Sequence, residues 1–198
     1  MPTATPTRLA VIVGSTREGR FGPVVADWFV RRARARGDLD VDVVDIAGAR
    51  LPAVLGEVGE DGRYASPEVR AYAERIAGAD VFVVVTPEYN RGYPAALKHA
   101  VDCLYAEWQA KPVGFVGYAG GMSGGIRAIE QLRPVFTELH AVPLRDSVNF
   151  PHVHTRFGDD GEPLDAQEVN AAAKKLLDQL MWWAQALREA RARRPYVA

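Results

Sequence analysis

The stretch "GSTREGRFGP", Gly14 to Pro23, gathers anion-binding groups at close spacing. Ser15 and Thr16 bring hydroxyls and Arg17 and Arg20 bring guanidinium forks. Gly22 and Pro23 read as the start of a helix, where unbonded N–H groups and the positive end of the dipole favour negative charge. Gly14 and Gly19 have the spacing of the ATP-binding loop G-x-x-x-x-G-K-[ST]. Arg20 and Phe21, however, stand where a phosphate-binding lysine and a magnesium-binding hydroxyl are needed. The dinucleotide pattern G-x-G-x-x-G also fails, because Ser15 and Thr16 follow Gly14. Asp45 stands where a ribose-binding acid would sit, but reads as a solvated aspartate at a strand end. Two readings are left: a cup of hydroxyls and N–H groups for one terminal phosphate monoester, or a polar turn without a ligand.

Two other stretches bear on the choice. In "TPEYNRGYPAALKHAVD", Thr86 to Asp102, Pro87 ends a strand, and Asn90 and Gly92 admit unusual backbone angles that turn N–H groups outward. Tyr89 and Tyr93 are spaced to flank a flat aromatic ligand. In "GYAGGMSGG", Gly117 to Gly125, the glycines let the backbone approach a ring closely. Either loop alone is weak evidence, since glycine-rich connections are common. Together with the phosphate turn they suggest a planar ligand carrying one phosphate. His152 and His154 in "FPHVHTRFGDDGEP" form a possible metal pair, but no Cys, His or paired-carboxylate motif accompanies them, so a metal is not expected. Cys103 falls within an apolar helical pattern and reads as a buried thiol.

These loops need a scaffold that brings them to one edge. Apolar, β-branched runs at Arg8–Gly14, Asp40–Ile46, Asp80–Thr86, Pro112–Tyr118 and Val142–Val148 read as strands buried on both faces, as in a parallel sheet. Helical stripes lie between them: Leu97, Val101, Leu104, Tyr105 and Trp108 in one, Ile126, Ile129, Leu132, Phe136 and Leu139 in the next. The final stripe runs Val169, Ala173, Leu176, Leu177, Leu180, Trp183 and Leu187, which makes Trp183 a packing residue. Ser66 and Pro67 read as N-cap and first helical residue after an exposed loop from Ala47. Strict alternation of strand and helix predicts a doubly wound α/β sandwich. In such a sheet, ligands bind beyond the carboxyl ends of the strands, here those of strands one, three and four.

Composition sets bounds on all of this. With 198 residues and 48% hydrophobic side chains the chain can bury one core, so residues 1–198 are read as one domain, with residues 1–7 as a flexible tail. A net charge of −1 provides no field for nucleic acid or an anionic membrane. Arg191, Arg193 and Arg194 read as a solvated helix end. One cysteine precludes an intrachain disulfide, and neither a signal sequence nor a membrane-length apolar run is seen, so a cytoplasmic location is expected.

At the three loops the chain resembles the NADPH-dependent FMN reductase family, flavodoxin-like flavoproteins that include quinone, azo-dye and chromate reductases. The segments that carry the likeness are Gly14–Gly22, Pro87–Asp102 and Lys111–Arg133, within an order of elements spanning about Arg8 to Phe150. The resemblance implies a flavodoxin-like three-layer sandwich with a five-stranded parallel sheet of order 2-1-3-4-5, FMN as cofactor and NADPH or NADH as reductant. It further implies that Ser15, Thr16, Arg17 and the turn around Phe21 and Gly22 hold the FMN phosphate. Pro87, Glu88, Tyr89 and Asn90 would line the isoalloxazine, and Tyr118, Ala119, Gly120 and Gly121, with Ser123, would approach its other edge. Arg20 is left with two roles, the FMN phosphate or the 2′-phosphate of NADPH. The expected activity is ping-pong hydride transfer to a flavin, quinone or other small electrophile, with no protein nucleophile required. Alternatives are supply of reduced FMN to a monooxygenase, single-electron carriage, and flavin-linked regulation without turnover. A homodimer or homotetramer is implied, with Tyr105 and Trp108 as possible contacts if they are not core residues.

Overall fold

The computed structural model describes residues 6–56, 58–59 and 62–197. Residues 1–5 of the expected tail, and positions 57, 60 and 61 of the loop after Ala47, lie outside these. Thr7 opens the first strand and pairs with Leu39. The strands are β1 (Thr7–Val13), β2 (Leu39–Asp45), β3 (Val81–Pro87), β4 (Pro112–Tyr118) and β5 (Val142–Phe150). All pair in parallel, in the order β2-β1-β3-β4-β5. This is the sheet order that the family resemblance implied.

Side chains alternate across the sheet, so Leu9, Val11 and Val13 feed one core while Ala10 and Ile12 feed the other. Helices α1 (Gly22–Arg34) and α5 (Ala166–Arg193) cover the first face with Trp28, Phe29, Leu176, Leu177 and Leu180. Helices α2 (Pro67–Gly78), α3 (Ala95–Asp102) and α4 (Ile126–Glu138) cover the second with Ile76, Leu97, Ile129 and Phe136. Each fully buried aliphatic or aromatic side chain contributes about 1.5–3 kcal/mol. Ser66 caps α2 as expected, its hydroxyl accepting the Val69 N–H at 3.3 Å ahead of Pro67.

Four expectations are corrected by packing. β3 and β4 are buried at every residue, but β2 and β5 are only partly buried, because each ends the sheet and has one neighbouring strand. The stripe from Leu97 to Trp108 is not one helix: α3 stops at Asp102, and Trp108 returns to the core from a one-turn 3-10 helix, Ala106–Trp108. There its indole N–H donates to the Val101 carbonyl at 3.1 Å and its ring meets Phe82 and Phe136, while Tyr105 stays exposed. Trp183 is 38% exposed beside a more exposed Trp182, because Ala184 takes the inward position after Leu180. Arg191 is not simply solvated: it donates to the Ala110 carbonyl and lies 3.6 Å from Asp80.

The sheet's hydrogen-bond ladder continues past the strand ends and levels the loops that follow. Gly14 N–H donates to the Val85 carbonyl at 2.8 Å, Glu88 N–H to Tyr118 at 2.9 Å and Ala119 N–H to Phe150 at 3.1 Å. The loop after β4 folds back on its own strand through Gly125, whose φ is +90° and whose Cβ, if present, would lie 2.5 Å from the Tyr118 nitrogen. Gly125→Ala should therefore destabilise the protein by roughly 3 kcal/mol or more. Gly37→Ala, at φ +77° with nothing within 4 Å, should cost only about 1 kcal/mol. Urea unfolding of the two variants checks the difference, and equal losses would remove the steric explanation.

Candidate functional site

The loops after β1, β3, β4 and β5 surround a cleft of about 330 Å³, within the range of small-ligand sites. Of the residues singled out from the sequence, Arg17, Arg20, Phe21, Pro87, Glu88, Tyr89, Tyr118, Ala119 and Gly120 line it, together with Glu18, Gly19, Val153 and His154. Ser15 lies beside it, fully buried. Gly22 opens α1 so close to both walls that a Cβ there would sit 2.4 Å from Ser15 Oγ and 2.8 Å from the Tyr118 hydroxyl. Phe21 precedes the helix and provides no side-chain cap. The Val24 and Val25 N–H groups donate to the Phe21 carbonyl at 3.1 and 3.4 Å and Pro23 has no N–H, so in the first turn of α1 the Gly22 N–H is the one that depends on another acceptor.

The Ser15 and Tyr118 hydroxyls are buried without a hydrogen-bond partner. Burial pushes the Tyr118 phenol up to about 12, with the neighbouring Ser15 hydroxyl drawing it partly back, so the phenol remains a proton donor at neutral pH. Two unpartnered donors beside an uncapped helix N-terminus fit the terminal oxygens of a phosphate monoester. Arg17, exposed and without an ion-pair partner among the described residues, adds a positive charge at the rim.

Other members of the predicted set have different surroundings. Thr16 faces an adjacent hollow with Ile46, Arg50 and His99. Asn90 is exposed in a two-residue turn closed by reciprocal Tyr89 and Gly92 backbone bonds at 2.8 and 3.0 Å. The positive φ values in that turn belong to Asn90 and Arg91, at +49° and +72°. Gly92 has no positive φ, and a Cβ there would make a tight contact, 3.2 Å from Gln131 Oε1. Tyr93 packs against the core under α2, α3 and α4 rather than in the cleft. Gly121 accepts the His152 N–H at 3.0 Å and Ser123 accepts the Ile126 N–H at 3.1 Å, so both shape the loop beside the cleft. The glycine cluster divides in the same way: Gly120 and Gly121 are exposed, while Gly124 and Gly125 pack against backbone.

Two carboxylates at or beside the cleft are engaged within the protein, whereas Glu18 is exposed at its edge. Glu88, its side chain 5% exposed, accepts the Arg127 backbone N–H at 3.1 Å and the Arg127 guanidinium at 2.9 Å. It thereby caps α4. Asp45 is not the solvated aspartate expected: both its carboxylate oxygens bind Arg20, at 2.6 and 2.5 Å.

Val153 and His154 are cleft residues missed in the sequence. His154 meets Phe21 edge-on with ring centroids 5.4 Å apart. The rule that ligands bind beyond strand carboxyl ends would have found them, had it been applied to the fifth strand as well. His152 instead faces the Gly120 carbonyl at 3.3 Å, and among the described residues no group of three or more His, Cys, Asp or Glu is placed to hold a metal.

The family model of NADPH-dependent FMN reductases matches residues 7–155. An NAD(P)H-dependent FMN reductase of Schizosaccharomyces pombe is 37% identical over 150 residues, covering 73% of this chain and 74% of that protein. A 2-hydroxy-1,4-benzoquinone reductase of a Burkholderia species is 32% identical over 180 residues, covering 88% and 92% respectively. Among solved structures, the flavoenzyme NAD(P)H:acceptor oxidoreductase FerB of Paracoccus denitrificans superposes with a TM-score of 0.75 at 24% identity, over 91% of this chain and 98% of that one, a likeness of fold.

An unpartnered buried hydroxyl costs about 1–3 kcal/mol. Tyr118→Phe should accordingly leave the ligand-free protein as stable as before or stabilise it by up to about 1 kcal/mol. Urea denaturation of ligand-free protein measures this, and a loss above about 1 kcal/mol would mean that the hydroxyl has a structural partner.

Proposed function

Because this chain belongs to the NADPH-dependent FMN reductase family, we propose that it reduces small planar electrophiles, quinones or free flavin, with electrons from NAD(P)H passed through FMN in the cleft after β1, β3, β4 and β5. The observation that carries this reading is the pair of buried, unpartnered hydroxyls of Ser15 and Tyr118 at the uncapped start of α1. The oxygens of a phosphate monoester would satisfy both at a helix N-terminus.

When bound, FMN supplies the two-electron chemistry, hydride in from NAD(P)H and two electrons out to the acceptor, the half-reactions alternating in ping-pong order. The protein's residues bind and orient. Ser15, Tyr118, the turn from Thr16 to Gly22 and Arg17 take the phosphate. Pro87, Glu88, Tyr89 and Asn90 form one border of the ring site through backbone and ring surfaces, since the Glu88 carboxylate is committed to Arg127. Ala119, Gly120 and Gly121, with Ser123 behind them, form the opposite border without bulky side chains. Phe21 and His154, packed edge to face, wall the cleft against water. Backbone N–H groups near the ring would favour a reduced, anionic flavin electrostatically.

The acceptor class follows the relatives, one named for FMN reduction and one for a hydroxybenzoquinone. A homodimer or homotetramer and a cytoplasmic location are part of the same proposal. Of Tyr105 and Trp108, it is Tyr105, exposed beyond α3, that is available to a subunit contact, Trp108 being in the core. Among the described residues no helix is long and apolar enough to cross a membrane.

The purified protein should show the visible absorption of bound flavin, bleached by NADPH or NADH and restored by a benzoquinone. Protein that is colourless and takes up no added FMN would end the proposal. Arg17→Ala should weaken FMN binding by about tenfold or more, since a hydrogen bond to a charged group is worth about 1.5–3 kcal/mol. Fluorescence titration measures that loss, and an unchanged dissociation constant would remove Arg17 from the phosphate site.

A further inference from the structure

Arg20 carries a question that the flavin reading leaves open, because a second cation in the turn could bind either phosphate or nicotinamide cofactor. Its guanidinium is directed into the protein. One terminal nitrogen donates to the Ser15 carbonyl at 2.5 Å and to Asp45 Oδ1 at 2.6 Å, and the other donates to Asp45 Oδ2 at 2.5 Å. The side chain is 19% exposed and Asp45 36%.

Asp45 is well placed to hold it. As the last residue of β2 it lies in register with Val13, the last residue of β1, and its Oδ1 also accepts the Ala47 N–H at 3.1 Å. Each partner stabilises the other's charge: Arg20 holds the Asp45 carboxyl below its usual range, and Asp45 raises the Arg20 guanidinium. The fork-to-carboxylate geometry fixes direction as well as distance.

The third bond connects this pair to the phosphate turn. The Ser15 carbonyl points at Arg20, and in a planar trans peptide the following N–H, that of Thr16, points the opposite way. Arg20 N–H also donates to the Arg17 carbonyl at 3.2 Å, closing the other half of the turn. The geometry points to Arg20 and Asp45 as a positioning pair: Asp45 anchors Arg20 to the end of β2, and Arg20 sets the Ser15–Thr16 peptide so that the turn's N–H groups and the Ser15 hydroxyl favour a phosphate-bearing flavin. Arg20 on this account neither selects the 2′-phosphate of NADPH nor neutralises the flavin phosphate. The inference rests on the FMN reading and adds the source of the site's preference for FMN over riboflavin, the same ring system without phosphate.

The test measures dissociation constants of FMN and riboflavin by fluorescence for ligand-free wild type, Arg20→Ala, Asp45→Ala, the double variant, and the conservative Asp45→Asn and Arg20→Lys. Each alanine variant should lose about tenfold or more in FMN affinity while riboflavin affinity changes less than about twofold. The double variant should be no worse than either single one, as for residues that act as a unit. Arg20→Lys should recover only part of the loss, since lysine lacks the fork, and NADPH:NADH preference should stay at the wild-type ratio. An Asp45→Ala protein that keeps or gains FMN affinity while Arg20→Ala loses it would make Arg20 a direct phosphate ligand and overturn the inference. A changed NADPH:NADH ratio in Arg20→Ala would overturn it in favour of cofactor selection. If an alanine variant fails to fold, and so loses riboflavin too, Asp45→Asn decides, and unchanged FMN affinity in it refutes the pair's role. Wild-type protein that binds neither flavin refutes the FMN reading itself and the inference with it, whereas wild-type binding with unaffected variants refutes the inference alone.

Discussion

At Gly22 the first helix comes within side-chain contact of two other parts of the fold, and the geometry of the site depends on that approach. The missing Cβ brings the start of α1 against Ser15, just after β1, and against Tyr118 at the end of β4. A single methyl group there would separate the helix N-terminus from the two hydroxyls that it now faces. The close approach also accounts for the orphaned state of those hydroxyls. They are enclosed together without a well-formed hydrogen bond to either, so burial takes them from water without full replacement. A site arranged like this is poised for a compact anion with several acceptor oxygens.

Charge in the surrounding loops is mostly spent on holding those loops in place. Glu88 is bound to the start of α4 and Asp45 to Arg20, so a basic partner offsets the charge of each, while Glu18 stays exposed at the cleft's edge. Arg17 remains as the exposed cation at the rim. The walls away from the start of α1 are aromatic rings, small residues and backbone: Phe21, Tyr89, Ala119, Gly120 and His154. A protein whose cleft has little acid–base machinery of its own is suited to a cofactor that carries the reaction, as the family's chemistry requires.

The places where the sequence reading missed are physically consistent with one another. Arg20 and Asp45 are 25 positions apart, and nothing in their local context marks them as a pair. They meet because β1 and β2 run in register and the turn after β1 bends back over β2. The break after Asp102 and the exposure of Trp183 show that helical spacing alone does not fix how an apolar residue reaches the core: Trp108 enters it from a separate turn, and Ala184 takes the inward place beside Trp183. His154 was legible by rule, since it too follows a strand's carboxyl end, but its own loop has no phosphate-turn or ring-approach motif to single it out.

Continuous apolar runs, proline and glycine at helix starts, and strict strand–helix succession determined by themselves the parallel sheet and the edge at which a ligand would sit, while the strand order came with the family resemblance. Those signals are local and repeat along the chain. The three loop motifs likewise established the family, because their residue types must serve the same backbone geometry wherever they occur. Only the tertiary structure decided which of the loop side chains face the cleft and which are tied into the protein. Arg17 and Arg20 are three residues apart in one turn, yet one is a free cation and the other is held by Asp45. The difference comes from the carboxylate that the sheet places beside one of them, and no local pattern encodes that placement.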